Sequence, residues 1–187
     1  MSPRWLRMAT WVSAIVALAA LGVLAAIDRH LRGVTTPLGI VSYELCAYGG
    51  TCDAITASWQ GRTRDLALFS LGFDYLFMVA YPAAISLVLW RVRMTLPPVL
   101  RGAVPLLAGG IWLAGALDAI ENYHLFQLLA GGPGTRHAWP ATCAATIKFL
   151  LIVPALAVCL VGGVGGLLGA AVRREVGTPR SSADHRL

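Results

Sequence analysis

The sequence predicts an all-α protein, a four-transmembrane-helix bundle with a structured outer loop between helices 1 and 2. Three observations carry that expectation. Of 187 residues, 57% are hydrophobic and only 13% charged, a balance that excludes most soluble globular classes. The apolar residues gather into four long runs, and arginines cluster at the ends of those runs.

The first span is expected at residues 10–27, after Arg4 and Arg7 and before Asp28-Arg29-His30. It is too long for an ordinary signal-peptide core, so a retained helix is expected; cleavage after its Ala-rich part is the alternative. The second span, 67–90, stops at Arg91, and Arg93 with Pro97-Pro98 makes the turn. The third, 99–129, is long enough to tilt and ends where Gly131, Gly132, Pro133 and Gly134 break the chain. The fourth, 140–171, is closed by Arg173 and Arg174. Backbone groups in lipid must be bonded within their own segment, so helices are expected in place of any irregular spanning path. One integral membrane domain, 1–187, follows, with no room for a soluble enzyme module.

The net charge of +6 suggests nucleic acid at first sight. There is no zinc-finger spacing, phosphate-binding glycine loop or basic stripe with interleaved aromatics, so no nucleic-acid partner is expected. The arginines instead orient the bundle. Arg4, Arg7, Arg91, Arg93, Arg101, Arg173, Arg174, Arg180 and Arg186 fall on one side, against Arg29, Arg32, Arg62, Arg64 and Arg136 on the other. Nine against five places both termini in the cytoplasm and residues 31–65 and 129–140 outside.

In the 31–65 loop, Ser42-Tyr43-Glu44-Leu45-Cys46 followed by Gly49-Gly50 reads as a short structured segment. Thr51 is expected to cap a short helix ending near Trp59, with Ile55 and Trp59 one turn apart on one face. That helix is expected at the membrane surface with Trp59 at headgroup level, or packed over the bundle mouth. Cys46 and Cys52, in a loop expected to face an oxidising compartment, are expected to close a disulfide.

Asp118, Glu121 and His124 recur every third residue inside the third span, which puts them on adjoining turns of one face, flanked by Asn122 and Tyr123. Glu121 lies about 8 residues, roughly 12 Å of helix, from the outer end of its span. Asp74 lies about 7 residues into span two and Lys148 about 8 into span four. The three therefore reach a similar depth. A lone charge in hydrocarbon is disfavoured by about 3 kcal/mol on insertion scales, so Lys148 is expected to pair with these acids. Glu121, Asp118 and His124 are candidate acid or base groups; Asp74, Lys148, Tyr75, Asn122 and Tyr123 are candidate ligand-binding groups, with Tyr81 a further hydrogen-bonding candidate. A network that only fixes helix packing is the plain alternative. Glu121-x-x-His124 has the spacing of carboxylate–histidine metal bundles but occurs once, so no dimetal site and no cofactor is expected; a single metal held by Glu121 and His124 with Asp74 and Asp118 is the minor alternative.

Gly162/Gly166 and Gly165/Gly169 have the four-residue spacing that permits close helix contact, within the bundle or in a homo-oligomer or membrane complex. Gly109, Gly110 and Gly115 permit close approach in the third span, and Pro82 and Pro154 interrupt hydrogen bonding in the second and fourth.

Residues 40–59, Phe73-Asp74-Tyr75-Leu76-Phe77 and Asp118-Ala119-Ile120-Glu121-Asn122 together resemble a group of uncharacterised small four-span bacterial inner-membrane proteins. The resemblance implies a multi-pass bacterial inner-membrane protein, draws attention to Asp74 and Glu121, and carries no activity with it. Taken together, the residues suggest an outward-facing polar pocket that binds or processes a lipid-like or amphipathic small molecule. The alternatives are an accessory subunit of a membrane complex, a small proton-coupled transporter, or a thiol–disulfide oxidoreductase, the last without any C-x-x-C pair.

Overall fold

Four helices in the computed structural model are long and apolar enough to cross a membrane, as expected of a multi-pass membrane protein. The structure describes residues 4–176. The long helices are α1 (Arg4–Leu31), α5 (Arg62–Val92), α6 (Pro98–Leu129) and α7 (Gly134–Val176). Three short helices, α2 (Ile40–Glu44), α3 (Cys46–Gly49) and α4 (Cys52–Ser58), fill the α1–α5 connection. Among the described residues there are no strands.

α6 matches its expected span, while the other three long helices outrun the apolar stretches that announce them. α1 begins at Arg4 and continues through Asp28-Arg29-His30, and α7 begins six residues before Pro140. Polar side chains end a favourable lipid environment, but they do not end the intrahelical hydrogen-bond ladder, so hydropathy underestimates helix length. Pro82 and Pro154 likewise lie inside continuous helices. Arg180 and Arg186, part of the basic count, lie outside the described residues.

α5, α6 and α7 pack on one another, while the extensive packing of α1 is against α5 alone. That contact uses small side chains: Ala17 of α1 meets Ala80 and Ala84 of α5, beside Phe77. Small residues let two helices approach closely where lipid offers no hydrophobic drive to bring them together. At the α5–α6 crossing, Gly115 lies under the α5 backbone, and a Cβ there would stand 2.6 Å from the Met78 carbonyl oxygen. Gly162 serves the same purpose at the far end, where a Cβ would meet Val92 at 2.6 Å. Thr95 donates there to the Gly162 carbonyl at 2.7 Å. Of the glycines expected to permit close contact, Gly162 is thus used inside the chain, and a Cβ at Gly165 or Gly166 would stand 3.4 or 3.5 Å from Thr95.

The short helices form a cap with a core of its own over one end of the bundle. Tyr43, Cys46, Cys52, Ile55 and Trp59 are buried with Leu31, Leu125 and Leu129. Full burial of one such aliphatic or aromatic side chain is worth about 1.5–3 kcal/mol, enough for the cap to hold a fixed position. Tyr43 donates to the Leu125 carbonyl at 3.1 Å, and its ring meets Trp59 edge-on at 5.1 Å. The last carbonyl of α1, Leu31, accepts from Trp59 Nε1 at 3.2 Å and from Thr36 Oγ1 at 2.7 Å. Carbonyls at a helix end lack intrahelical donors, and these two side chains supply them. Gly39, at φ 60°, turns the chain into α2 against the Asp28 carboxylate, which accepts from the Ile40 N–H at 2.7 Å. Cys46 and Cys52 form a disulfide with Cα atoms 4.9 Å apart.

Two local expectations are corrected. Of the two expected placements Trp59 takes the one packed over the bundle mouth: it is 2% exposed inside the cap, because its indole N–H finds Leu31 and its ring finds Tyr43. Thr51 precedes α4 without capping it, since its hydroxyl donates back to the Cys46 carbonyl at 3.4 Å.

The glycines provide a matched test. Gly115→Ala should destabilise the detergent-solubilised protein by about 1–3 kcal/mol through overpacking. Gly109→Ala, where a Cβ would meet nothing within 4 Å, should be neutral or stabilising by about 0.5–1 kcal/mol. Thermal unfolding of both variants side by side reads the difference.

Candidate functional site

α6 presents Ile111, Ala114, Gly115, Asp118, Glu121, Asn122 and Leu125 to the protein interior, so three polar side chains interrupt an otherwise apolar buried stripe. α7 answers with Lys148 in a run of buried small residues, Ala141, Ala144 and Ala145. Lys148 Nζ lies 2.8 Å from Asp118 Oδ1 and 2.7 Å from Glu121 Oε2. It donates a hydrogen bond to Asp118, whereas Glu121 is close enough for an ion pair but lies off the hydrogen-bonding direction. Lys148 is 5% exposed, Asp118 3% and Glu121 0%. An ammonium so enclosed is tolerable only with carboxylates against it.

A fourth acidic group completes the cluster and comes from the cap. Glu44, at the end of α2, approaches Lys148 Nζ to 3.8 Å while its backbone carbonyl accepts from Thr142 Oγ1 at 2.8 Å. In the sequence Glu44 reads only as part of a structured loop. Its signal was faint: Glu44 is one helical turn beyond the apolar Ile40, a spacing that turns it to the same inward side. Burial pushes the Glu44 carboxyl above the usual carboxylate range; Lys148 opposes the shift, and the Asp118 carboxylate adds to it.

Asp74 of α5 stands beside this group without touching Lys148. Its Oδ2 accepts from Asn122 Nδ2 at 2.7 Å, and the same amide donates to the Leu71 carbonyl at 3.3 Å. The Asn122 contact is the one protein hydrogen bond to the Asp74 carboxylate among the described residues, and Asp74 lies in the wall of a cavity.

That cavity measures about 650 Å³ and occupies the space between α1 and α7, with α5 as its floor and α2 across its end. Lining residues on α5 run from Ser70 to Val88, roughly 27 Å of helix. The two ends differ in chemistry. Asp28, Arg32, Glu44, Asp74, Asp118, Asn122 and Lys148 line the capped end, while Leu18, Phe77, Ile85, Val88, Ile152 and Leu156 line the rest. Tyr81 also faces the cavity, with its hydroxyl buried and unpartnered among the described residues.

Several expected members lie elsewhere. His124 does not join Asp118 and Glu121; its Nδ1 is 2.9 Å from Nδ1 of His137 at the start of α7. Successive steps of three residues each fall about 60° short of a full turn, so two steps carry His124 about 120° away from Asp118. Glu121 and His124 do not converge as metal ligands either, because Glu121 lies against Lys148 while His124 turns to His137, and no group of three metal-ligating side chains occurs among the described residues. Tyr75 and Tyr123 are half exposed on the lipid-facing side and do not line the cavity. Glu121 itself is not in the cavity wall but behind it, where it positions Lys148. The Cys46–Cys52 bridge is 1% and 6% exposed, shielded from thiol attack, which suits a structural staple.

In comparisons with known proteins, the chain matches no family model, no curated protein and no solved structure.

Two outcomes follow from this geometry. Lys148→Met should destabilise the bundle by about 3–5 kcal/mol, because Asp118 and Glu121 are left buried without a counter-charge; unfolding in detergent measures it. Glu44 titrates with the opposite sign to a salt-bridged surface acid. Its raised folded-state pKa means the folded protein holds its proton more tightly, so this contribution to stability is present in acid and is lost as pH climbs through the raised value. Glu44→Gln should flatten that loss as pH rises above the ordinary carboxylate range in a thermal-unfolding series.

Proposed function

We propose that the protein binds a lipid-like or amphipathic small molecule in the cavity between α1 and α7, with the polar head at the capped end and the apolar body along the bundle. The supporting observation is the cavity's division into one charged end and a long apolar remainder. Small-molecule sites take this form, a mostly apolar enclosure with a few convergent polar groups. The entry route in this reading is lateral, from the bilayer, because α1 leans on α5 and leaves the α7 side of the cavity open to lipid.

In the same reading the protein lies in a bacterial inner membrane with both termini in the cytoplasm and the cap outside. The distribution of arginines supports that orientation, and a disulfide in the cap suits an oxidising compartment. A cap on the outer face would close the cavity to water at its charged end and leave the membrane as the route of entry. Asp118 and Glu121 are committed to Lys148, so they serve to hold the ammonium in place. The carboxyl groups open to an occupant are those of Asp74 and Glu44.

Native mass spectrometry of the purified protein in mild detergent tests the reading. The wild type should carry a co-purifying amphiphile. Ala25→Phe projects a ring into the cavity from an exposed position on α1, and should cut that occupancy about tenfold with unfolding unchanged. An identical adduct profile in the two proteins would sink the proposal.

A further inference from the structure

Resting on that reading, we infer that the head group held at the capped end is a cation, a protonated amine carried on an apolar body, with Asp74 as its counter-ion. Charge balance is the first support. Asp28, Glu44, Asp74 and Asp118 line the cavity and Glu121 stands behind it, against the two cations Arg32 and Lys148.

Those cations are already used. Arg32 is bound to Asp28 at 3.0 Å, and Asp28 also accepts from the Ile40 N–H. Lys148 is held between Asp118 and Glu121. Asp74 is left with a neutral amide on one oxygen and an open cavity beside the other. An anionic head would meet the Asp74 carboxylate in a poorly solvated site, where like charges are heavily disfavoured. A cation instead pairs with it.

The second support is independent of charge. Two buried polar atoms in the cavity wall make no well-formed hydrogen bond among the described residues, though Glu121 and Asp118 lie near them: Glu44 Oε2, on a side chain 11% exposed, and the hydroxyl of Tyr81, on a residue 5% exposed. Both can accept from an N–H, and a buried acceptor left unsatisfied is costly. Aromatic surface is in the right place as well. Phe77 and Tyr81 follow Asp74 on the cavity side of α5, with ring centroids 5.1 Å apart. Aromatic faces attract a desolvated ammonium, and they also accept the carbon substituents that surround it.

Calorimetric titration of the full-length protein in non-ionic detergent with dodecylamine, dodecanol and dodecanoate tests the inference, since the three probes share a chain and differ in head charge. Dodecylamine should bind at least about tenfold more tightly than either of the others. Asp74→Asn, which keeps the contact with Asn122, should remove that preference by weakening dodecylamine more than dodecanol. Tyr81→Phe should weaken dodecylamine about threefold, which checks the assignment in a second variant. Equal binding of all three probes, or an Asp74→Asn protein that still prefers the amine, would overturn the cationic assignment while the cavity itself stands. Failure of all three to bind, together with an Ala25→Phe protein whose co-purifying adducts are unchanged, would overturn the cavity reading and this inference with it.

Discussion

The buried ammonium of Lys148 is the constraint around which the structure is arranged. An unpaired charge at its depth would be untenable, so α6 must bring Asp118 and Glu121 to it and α7 must keep small residues beside it to let α6 approach. The pairing sets the rotation of both helices about their axes. It also reaches the cap, because Glu44 leans on the same ammonium while its backbone is tied to Thr142, one and a half turns before Lys148 on α7. One charge thus links the packing of two long helices to the placement of a loop helix distant in sequence.

α1 answers to different physics. It carries no member of the ion cluster and packs through alanines on α5, while much of its remaining surface is large and apolar, as lipid contact requires. A helix held along one seam leaves a space on its other side. Here that space has the charged cluster at its end and aliphatic walls along its length, with Asp74 and Glu44 in its lining. The cavity is therefore a consequence of α1 standing apart, and the cluster is what distinguishes one end of it.

Much of this was legible from spacing along the chain. Helical rise is constant, so counting residues from the span ends brought Asp74, Glu121 and Lys148 to one level, and the structure brings Lys148 against Glu121 at that level. Rotation was less well read. Tyr81 is seven residues from Asp74 and so returns to nearly the same direction, whereas Tyr75 is about 100° away and faces outward. The same arithmetic removes His124, which turns to His137, and Tyr123, about 200° from Glu121. These were available from helical geometry once the direction of one residue was known. The partner of Trp59 and the reach of Glu44 were not, since both depend on contacts between segments far apart in the chain.

What the amino-acid sequence determined by itself was the set of helices, the depth of the ionisable groups and the half-cystine pair within reach of each other. Those properties follow from hydropathy, from a fixed rise per residue and from short chain separation, all of which are local. Only the tertiary structure decided which acids close on Lys148, that Glu44 is one of them, that the cap has its own aromatic core, and that α1 leaves an open space beside α7. Each of those depends on helix rotation and on contacts across the fold, and many rotations satisfy the same hydropathy until the buried charges must meet.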